Sequence, residues 1–383
     1  MKQYDYIFIG AGCAGLSLLT RMVAAGLTKG KRILLIDKSP KKENDRTWCF
    51  WEQQPGFFET VSCKQWNQLW FHGDGFSKQF DIAPYRYKMI RGIDFYNYCF
   101  EKINKETPAD ILYGTVTSLH AVNDGIQLLI DGRPYTFNGA VVFNSLYNEG
   151  IVKQQKAIHL LQHFKGWMVE TAVPFFNPDE ATLMDFRVSQ VNGATFVYVL
   201  PLSSTRALVE FTLFSEKLLP FEEYNRALAG YLQHYLQLKD YTVSEEEFGV
   251  IPMTDAVFPW YANGMYHIGT AGGQTKASSG YTFQFIQKQS AAIVQELAAN
   301  ILSPQIKPAV VSKRFHFYDA VLLRVLAGKY AAGSQVFTTL FKKNKPAKIF
   351  AFLDNETSLP QDLRLIQSLP TLPFIKAACK QLF

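Results

Sequence analysis

Residues 4–15 determine how the first part of the chain folds, and they read Tyr4-Asp5-Tyr6-Ile7-Phe8-Ile9-Gly10-Ala11-Gly12-Cys13-Ala14-Gly15. An apolar run of strand type leads directly into a G-x-G-x-x-G pattern, which opens a helical segment over residues 16–25. A second apolar run, residues 32–36, reads as the next strand and ends on Asp37. This order predicts a βαβ unit that binds a dinucleotide.

Glycines at these positions let the backbone approach a pyrophosphate, and the helix N-terminus offers unpaired N–H groups and the positive end of its dipole. The acid at the tip of the second strand is expected to bind the ribose hydroxyls. A tight turn with no ligand is the alternative, but such a turn requires neither the three glycines nor the terminal acid. The cofactor residues predicted from this unit are Gly10, Gly12, Gly15 and Asp37.

Length and composition restrict the class of protein. A chain of 383 residues buries a large core and is expected to form two lobes. No apolar run approaches the roughly 20 residues that span a bilayer, and the N-terminus lacks the basic segment of a signal peptide. The five cysteines are odd in number and lack metal-ligand spacing, which favours reduced thiols in a cytoplasmic protein without a metal.

The net charge of +6 is modest but unevenly placed. Basic residues after position 305 are interleaved with apolar ones, a pattern that suits an anionic membrane surface. Amphipathic helices with a solvated basic face are the alternative, and nucleic-acid binding is not expected because no known module accompanies the charge. The basic residues are Lys307, Lys313, Arg314, Arg324, Lys329, Lys342, Lys343, Lys345 and Lys348, and the apolar residues around Lys342 to Lys348 are Phe337, Leu340, Phe341, Ile349, Phe350 and Phe352.

The pattern changes along the chain. Residues up to about 60 read as the βαβ unit and a connecting loop, and four β-type runs after residue 163 predict an antiparallel sheet. A second Gly-rich loop, residues 270–280, precedes a strong helix and is expected to bring another helix N-terminus to the cofactor. FAD is favoured over NAD because the glycine fingerprint lies at the N-terminus and a second glycine loop lies far along the sequence.

The expected fold class is α/β (α+β), with a Rossmann-like FAD-binding lobe, an interleaved antiparallel-sheet substrate lobe and C-terminal helices, as in p-hydroxybenzoate-hydroxylase-like enzymes. The predicted domains are a discontinuous FAD-binding lobe (1–165 and 251–304), a substrate-binding sheet lobe (166–250) and a helical, membrane-contacting region (305–383).

Eight segments together resemble one family, the FAD-dependent lycopene cyclases of carotenoid synthesis, bacterial lycopene β-cyclases among them. The segments are Gly10 to Gly15, Asp45-Arg46-Thr47-Trp48-Cys49-Phe50-Trp51, Gln162-His163-Phe164-Lys165-Gly166-Trp167, Met184-Asp185-Phe186-Arg187, Tyr198-Val199-Leu200-Pro201-Leu202, Val209-Glu210-Phe211-Thr212, Ile251-Pro252-Met253, and Gly269-Thr270-Ala271-Gly272-Gly273 through Gly280-Tyr281. The tryptophan loop, the Gln-His-Phe-x-Gly-Trp segment and Met-Asp-Phe-Arg carry most of the specificity.

The resemblance implies lycopene β-cyclase activity, an isomerisation of the intramolecular lyase class that converts linear lycopene or a related linear carotene to γ- or β-carotene. A terminal double bond is protonated, the carbocation is attacked by a neighbouring double bond, and loss of a proton sets the ring type. FAD is needed in reduced form without net redox, and NAD(P)H would reduce it. The resemblance also implies peripheral attachment at the cytoplasmic membrane face, since lycopene dissolves only in lipid, and contact with other carotenoid-pathway enzymes.

One departure from the family pattern concerns the acid motif. Many members carry paired acids there, whereas this chain reads Glu210-Phe211-Thr212 and keeps only the first. Apolar neighbours on the strand are expected to raise the pKa of Glu210 and keep its proton at neutral pH. Asp185 and Arg187 share a strand face as an ion pair or a polar clamp, and His163 is a proton relay or a hydrogen-bonded hinge residue.

The residues that complete the predicted site are of three kinds. The predicted catalytic residues are Glu210, Asp185 and His163. The predicted substrate contacts are Trp167, Phe186, Tyr198, Phe211 and Tyr281, and the further cofactor contacts are Arg46, Trp48, Gly269, Gly272, Gly273 and Gly280.

Two other functions fit the same cofactor lobes. A FAD-dependent monooxygenase or reductase acting on an apolar isoprenoid would change the mass of its substrate. A non-catalytic carotenoid-binding or scaffold protein that retains FAD structurally would form no product at all.

Overall fold

The computed structural model describes residues 3–123, 125–300 and 312–382. Lys307 and the predicted boundary between residues 304 and 305 lie outside the described residues. Within them, the strands are β1 (Tyr6–Ile9), β2 (Ile33–Asp37), β3 (Thr47–Glu52), β4 (Lys64–Trp66), β5 (Gln68–Gly73), β6 (Phe76–Asp81), β7 (Arg86–Arg91), β8 (Asp110–Tyr113), β9 (Val116–Val122), β10 (Gly125–Ile130), β11 (Arg133–Asn138), β12 (Val141–Asn144), β13 (His159–Glu170), β14 (Glu180–Asp185), β15 (Ala194–Ser203), β16 (Arg206–Ser215), β17 (Thr242–Thr254), β18 (Tyr261–Ala262) and β19 (Met265–His267).

The helices of the described residues are α1 (Cys13–Ala24), α2 (Gly92–Glu106), α3 (Glu149–Gln155), α4 (Phe221–His234), α5 (Phe283–Ala298), α6 (Lys313–Ala327), α7 (Gly333–Lys343), α8 (Pro346–Leu353), α9 (Leu359–Ile366) and α10 (Thr371–Leu382).

The first large sheet contains the glycine fingerprint. Its strand order is β18-β19-β12-β1-β2-β8, and every pairing except β18 with β19 is parallel. The strands β1 and β2 are continuous apolar runs because both faces of the sheet are buried, one against helices and the other against the β9–β11 sheet. Ile9 pairs with both Ile36 and Asn144, so the carboxyl ends of three strands meet at one edge, where ligands bind in such sheets.

The second large sheet has seven strands in the order β17-β13-β16-β15-β14-β5-β6, and only β14 with β5 is parallel. Its strands β5 and β6 come from early in the chain, between residues 68 and 81. The connecting loop predicted up to about residue 60 is wrong in part, because residues 47–52 form β3 and pair with β7. Aromatic side chains of β3 pack into both lobes, a tertiary preference that local pattern does not reveal.

The seven-stranded sheet is buried on both faces, and strand alternation decides which residues reach which face. One face packs on α4 through the cluster that contains Val197, Val209 and Leu228. The other face packs on α6 to α8 through the cluster that contains Leu208, Phe214 and Phe337. We call these the α4 face and the inner face.

The C-terminal helices correct one sequence-based argument. Phe337, Leu340, Phe341, Ile349 and Phe350 are all less than 8% exposed and belong to the core below the inner face. The lysines between them, from Lys342 to Lys348, are exposed. These segments are therefore amphipathic helices with a solvated basic face, the alternative that the sequence left open. No helix among the described residues has the length and apolar character needed to cross a bilayer.

Candidate functional site

A cavity of about 470 Å³ lies between the two large sheets. The loops that follow β1, β12 and β19 form one wall, and side chains of β13, β15, β16 and β17 form the other. Of the predicted site residues, those that line the cavity are Gly12, Arg46, Trp48, Tyr198, Glu210, Gly269, Gly280 and Tyr281. The cavity therefore joins the glycine loops of the first sheet to the inner face of the second.

The first glycine loop presents a helix N-terminus to this cavity. Gly12 lines it, and no heavy atom lies within 4 Å of the position that a Cβ would take there. A Cβ on Gly15 would lie 2.1 Å from the Gly10 carbonyl oxygen, so only glycine lets α1 begin this close to the loop. No side chain caps α1, and its first turn has no acid. Its free N–H groups suit an anion such as a phosphate.

Asp37 joins the tips of the first two strands. One carboxylate oxygen accepts a hydrogen bond from the Ala11 N–H at 2.7 Å. The other accepts from the Ser39 N–H at 2.9 Å and pairs with the Lys41 ammonium at 3.1 Å. The side chain thus fixes the glycine loop directly, while a carboxylate has further lone pairs for a hydroxyl ligand.

The second glycine loop packs directly on the start of α1. A Cβ on Gly269 would lie 2.8 Å from the Ala14 Cβ, so the two loops meet at one edge of the cavity. The loop then leads into α5, whose first residue Phe283 lines the cavity, without a side-chain cap or an acid in its first turn. A second helix N-terminus therefore reaches the cavity. Gly272 and Gly273 lie in the turn beside it but do not line the cavity.

The tryptophan loop closes one side of the cavity. Trp48 packs edge-on against Phe95, with ring centroids 5.2 Å apart. Arg46 pairs with Asp45 at 2.9 Å, and that carboxylate also accepts a hydrogen bond from the Tyr96 hydroxyl. Trp48 and Arg46 thus offer an aromatic surface and a cation at the cavity wall.

Glu210 lies on β16 near the centre of the seven-stranded sheet, and its carboxyl lines the cavity. It is opposite Gly166 on β13 and Tyr198 on β15. The Thr212 hydroxyl donates a hydrogen bond to one carboxylate oxygen at 2.7 Å. Burial first, and then the nearby Glu247 carboxylate, hold the pKa of Glu210 well above its ordinary range.

Glu247 is a site residue that the sequence analysis missed. It lies on the edge strand β17 opposite Gly166, so the order across the inner face is Tyr198, Glu210, Gly166 and Glu247. Its side chain is 8% exposed and accepts a hydrogen bond from the Thr47 hydroxyl at 2.8 Å. In the sequence it is the last of three consecutive glutamates, which reads as a solvated charge run. Burial raises its pKa as well.

Aromatic residues form the wall around Glu210. The Tyr198 and Tyr281 hydroxyl oxygens are 3.5 Å apart, and the Tyr281 ring packs edge-on against Trp51 at 4.4 Å. Burial raises the pKa of both tyrosines, which keeps their phenols neutral. Electron-rich rings of this kind attract a cation that approaches their faces.

Four other predicted site residues lie on the α4 face, away from the cavity. Trp167 and Phe211 pack into the cluster around α4. Asp185 accepts hydrogen bonds from the Arg187 guanidinium at 2.9 Å and the Tyr231 hydroxyl at 2.8 Å, so the pair is structural. This placement argues against a catalytic role for Asp185 and against substrate contact by Trp167 and Phe211. Phe186 is on neither wall, since its ring stacks on Phe337 in the core.

His163, the fourth residue, is within β13 rather than after a loop, and its side chain is fully buried. Its Nδ1 accepts from the Tyr224 hydroxyl at 2.6 Å, and its Nε2 lies 2.7 Å from the Ser215 hydroxyl. Because Ser215 donates to the Lys217 carbonyl, the Nε2–H donates to Ser215. His163 is therefore the hydrogen-bonded structural residue of the two alternatives.

Comparison with known proteins gives a family match over nearly the whole chain. A family model described as Lycopene cyclase protein matches residues 5–379. Neoxanthin synthase of Solanum tuberosum is 26% identical over 299 residues, which cover 73% of this chain and 57% of that protein. Lycopene beta-cyclase of Pantoea ananas is 27% identical over 277 residues, which cover 66% of this chain and 63% of that protein. The chain thus spans less than two thirds of the length of these relatives.

Solved structures share the fold. A geranylgeranyl bacteriochlorophyll reductase-like protein from Thermoplasma acidophilum superposes with a TM-score of 0.67 at 14% identity, covering 100% of both chains. Aklavinone-11 hydroxylase, in a complex with FAD and aklavinone, superposes with a TM-score of 0.59 at 12% identity, covering 94% of this chain and 73% of that one. The predicted fold class is confirmed.

The burial of His163 leads to a prediction about how the free energy of unfolding depends on pH. Burial lowers the pKa of His163 from 6.5 to about 4. The unfolded chain binds its proton more readily, so this residue removes stability as pH falls from about 6.5 to 4. We expect His163→Gln to weaken the pH dependence of the free energy of unfolding in this range, with a slope smaller by up to about 1.4 kcal/mol per pH unit. Denaturant titrations at several pH values measure this slope. The exposed His120→Gln is the control, and equal slopes in all three proteins would contradict this account.

Proposed function

The chain belongs to the lycopene cyclase family, and we propose that it converts linear lycopene, or a related linear carotene, to a carotene with β-rings. One observation carries the proposal. A carboxyl group with a raised pKa, that of Glu210, faces an aromatic cavity between two glycine loops. The names of curated relatives, a lycopene beta-cyclase and neoxanthin synthases, are consistent with a carotenoid substrate.

Glu210 is the general acid in this proposal. Its raised pKa keeps the carboxyl protonated near neutral pH, as general acid catalysis requires. As the O–H bond breaks, a C–H bond forms at the terminal double bond and leaves a tertiary carbocation. A neighbouring double bond closes the ring, and a ring carbon returns a proton to the Glu210 carboxylate. The product has the elemental composition of the substrate, as an isomerase requires.

The cavity wall stabilises the cation in this scheme. Tyr198 and Tyr281 place neutral phenol rings beside Glu210, and cation–π contacts contribute roughly 0.5–2 kcal/mol each. The carboxylate left behind by proton transfer adds an opposite charge at short range. Both act beside buried aromatic and aliphatic side chains, where fixed charges and dipoles have a larger effect than in water.

FAD is the proposed cofactor, and the residues present fit it. The uncapped N-termini of α1 and α5 reach the cavity, and Gly12 leaves its backbone open for close approach. The residues proposed to hold FAD are Gly10, Gly12, Gly15, Asp37, Arg46, Trp48, Gly269 and Gly280, with Gly272 and Gly273 shaping the second loop. Reduced FAD, formed with electrons from NAD(P)H, would supply negative potential to this cavity without net redox.

Expression in a lycopene-accumulating bacterium tests this function. The protein is expected to form a ringed carotene of unchanged mass, and Glu210→Gln to lower the yield by about 100-fold or more, because the general acid is lost. Glu246→Gln, on the same sheet but 53% exposed and paired with Lys165, is the matched control and is expected to cyclise normally. The flavin absorbance of each purified variant checks that the fold is intact.

A product that gains oxygen or hydrogen in this experiment would instead indicate the monooxygenase or reductase alternative. Unchanged lycopene beside a flavin-loaded wild-type protein would point to a binding protein without this activity.

Peripheral attachment at the cytoplasmic membrane face is a second part of the proposal, because the substrate is supplied by other carotenoid-pathway enzymes and dissolves only in lipid. The helices α9 and α10 offer the exposed apolar side chains for it. They are Leu359, Leu363, Leu372 and Ile375, between 49% and 80% exposed. Exposed Arg364, Lys376 and Lys380 accompany them and suit anionic headgroups.

Flotation with vesicles that contain anionic lipid tests the attachment. We expect the protein to float with the vesicles and the double variant Leu372→Glu/Ile375→Glu to float several-fold less, because the apolar contact is replaced by like charge. Val191→Glu alters an 88% exposed side chain elsewhere and is expected to leave flotation unchanged. Wild-type protein that stays wholly in the soluble fraction would refute this part of the proposal.

A further inference from the structure

We propose that Glu247 is the positioning residue that keeps the acid proton on Glu210, because the two carboxyl groups form a pair that shares one proton across Gly166. The role in catalysis rests on the function proposed above. The shared proton itself is a property of the sheet and can be measured without substrate.

The backbone creates the space in which the two carboxyls meet. Glu210 and Glu247 lie on two different neighbours of β13, both opposite Gly166. A Cβ at position 166 would lie 2.9 Å from the Glu247 Cγ and 2.9 Å from the Leu208 Cδ1. Because glycine has no side chain, Glu247 can lean across β13 over position 166, where its Oε1 lies 3.3 Å from the position that a Cβ would take.

The oxygen atoms of the pair require a proton. The Thr212 hydroxyl donates to Glu210 and the Thr47 hydroxyl donates to Glu247, one oxygen in each case. The second oxygen of Glu247, Oε1, is buried and has no donor among the described residues. Two ionised carboxylates would leave acceptors facing each other, whereas one proton turns Glu210 into a donor to Glu247.

The neighbouring glutamates show that Glu247 is unusual. Glu245 pairs with Arg206 at 2.7 Å, and Glu246 pairs with Lys165 at 2.9 Å. Within residues 3–123, 125–300 and 312–382, Glu247 has no ion pair of this kind, although it is the most buried of the three. A carboxyl that is buried without a paired cation and lies beside a second carboxyl retains a proton within the pair.

The direction of the pKa shifts agrees with this assignment. Burial raises the pKa of both residues, and the Arg46 guanidinium acts to lower that of Glu247. Because the buried oxygen that lacks a donor belongs to Glu247, the shared proton is placed on Glu210 and the charge on Glu247. The other titratable or charged groups that face the pair are Arg46, Cys49, Tyr87, Tyr198, Glu245 and Tyr281.

Position 211 cannot supply the second carboxyl. Phe211 packs against Tyr224 on the α4 face, with ring centroids 6.3 Å apart. Because alternate residues of a strand point to opposite faces, an acid there would point away from Glu210. In this chain the partner of Glu210 therefore comes from β17.

The pH dependence of kcat/KM tests the inference. Activity requires a protonated Glu210 and is lost as pH rises through its pKa. Glu247→Gln removes the negative charge that raises this pKa. The alkaline limb of the profile, where kcat/KM falls with rising pH, is therefore expected to move to lower pH by about one unit or more, with KM little changed. Glu247→Asp retains the charge and should shift the limb less. Glu246→Gln, exposed on the same strand, should not shift it.

Gly166→Ala is an independent test that keeps both glutamates in the chain. The new Cβ displaces the flexible Glu247 side chain, so the alkaline limb is expected to shift in the same direction as in Glu247→Gln. Infrared titration of the purified proteins reports the protonated carboxyl directly. Its C=O band should persist at neutral pH in the wild type and disappear at lower pH in Glu247→Gln.

The outcomes separate the two proposals. The wild-type protein could cyclise lycopene while Glu247→Gln changes neither the alkaline limb of its pH profile nor its infrared titration. That result would overturn the carboxyl pair and preserve the proposed function. A wild-type protein that shows the carboxyl band and its shift, but forms no ringed product, would preserve the pair and overturn the function.

Discussion

The removal of one carboxyl group from water is the constraint on which the site depends. Glu210 lies on β16, near the middle of a sheet that is covered on both faces. Burial makes its charged form costly, and the groups around it, neutral tyrosines and a threonine hydroxyl, do not supply a compensating cation. The same surroundings that hold the proton also favour the cation that its transfer would create.

The two walls of the cavity have different electrostatic character. On one side, α1 and α5 present uncapped N-termini without acids in their first turns, which suits an anionic cofactor. On the other side, the sheet presents buried carboxyls in a row that Gly166 makes possible. In the proposed function the parallel sheet serves binding and the antiparallel sheet serves proton chemistry. The second glycine loop packs on α1 at Ala14 and approaches β13 where Gly280 meets the Gln162 side chain.

Much of the fold was predictable because local patterns determine it. The glycine fingerprint, the apolar parallel strands and Glu210 on a strand were all correctly located. The sequence could not show which alternate set of side chains on each strand faces the cavity, because both faces of the seven-stranded sheet are buried and both have an apolar pattern. Four of the predicted site residues point to the α4 face instead of the cavity: Asp185, His163, Trp167 and Phe211. Glu247 was missed because its partner is defined by cross-strand register, which Gly166 reveals only once β13 and β17 are paired.

Acid-initiated ring closure by Glu210 predicts the mass of the carotene that is formed in deuterium oxide. Because Glu210 lines the cavity, we expect its proton to exchange with solvent between turnovers, so that each ring closure places one deuteron on carbon and releases one proton of the substrate. The product should carry one deuterium for each ring and otherwise have the elemental composition of lycopene. A ringed product without solvent deuterium, or a product that has gained oxygen or a pair of hydrogens, would contradict acid-initiated cyclisation without net redox.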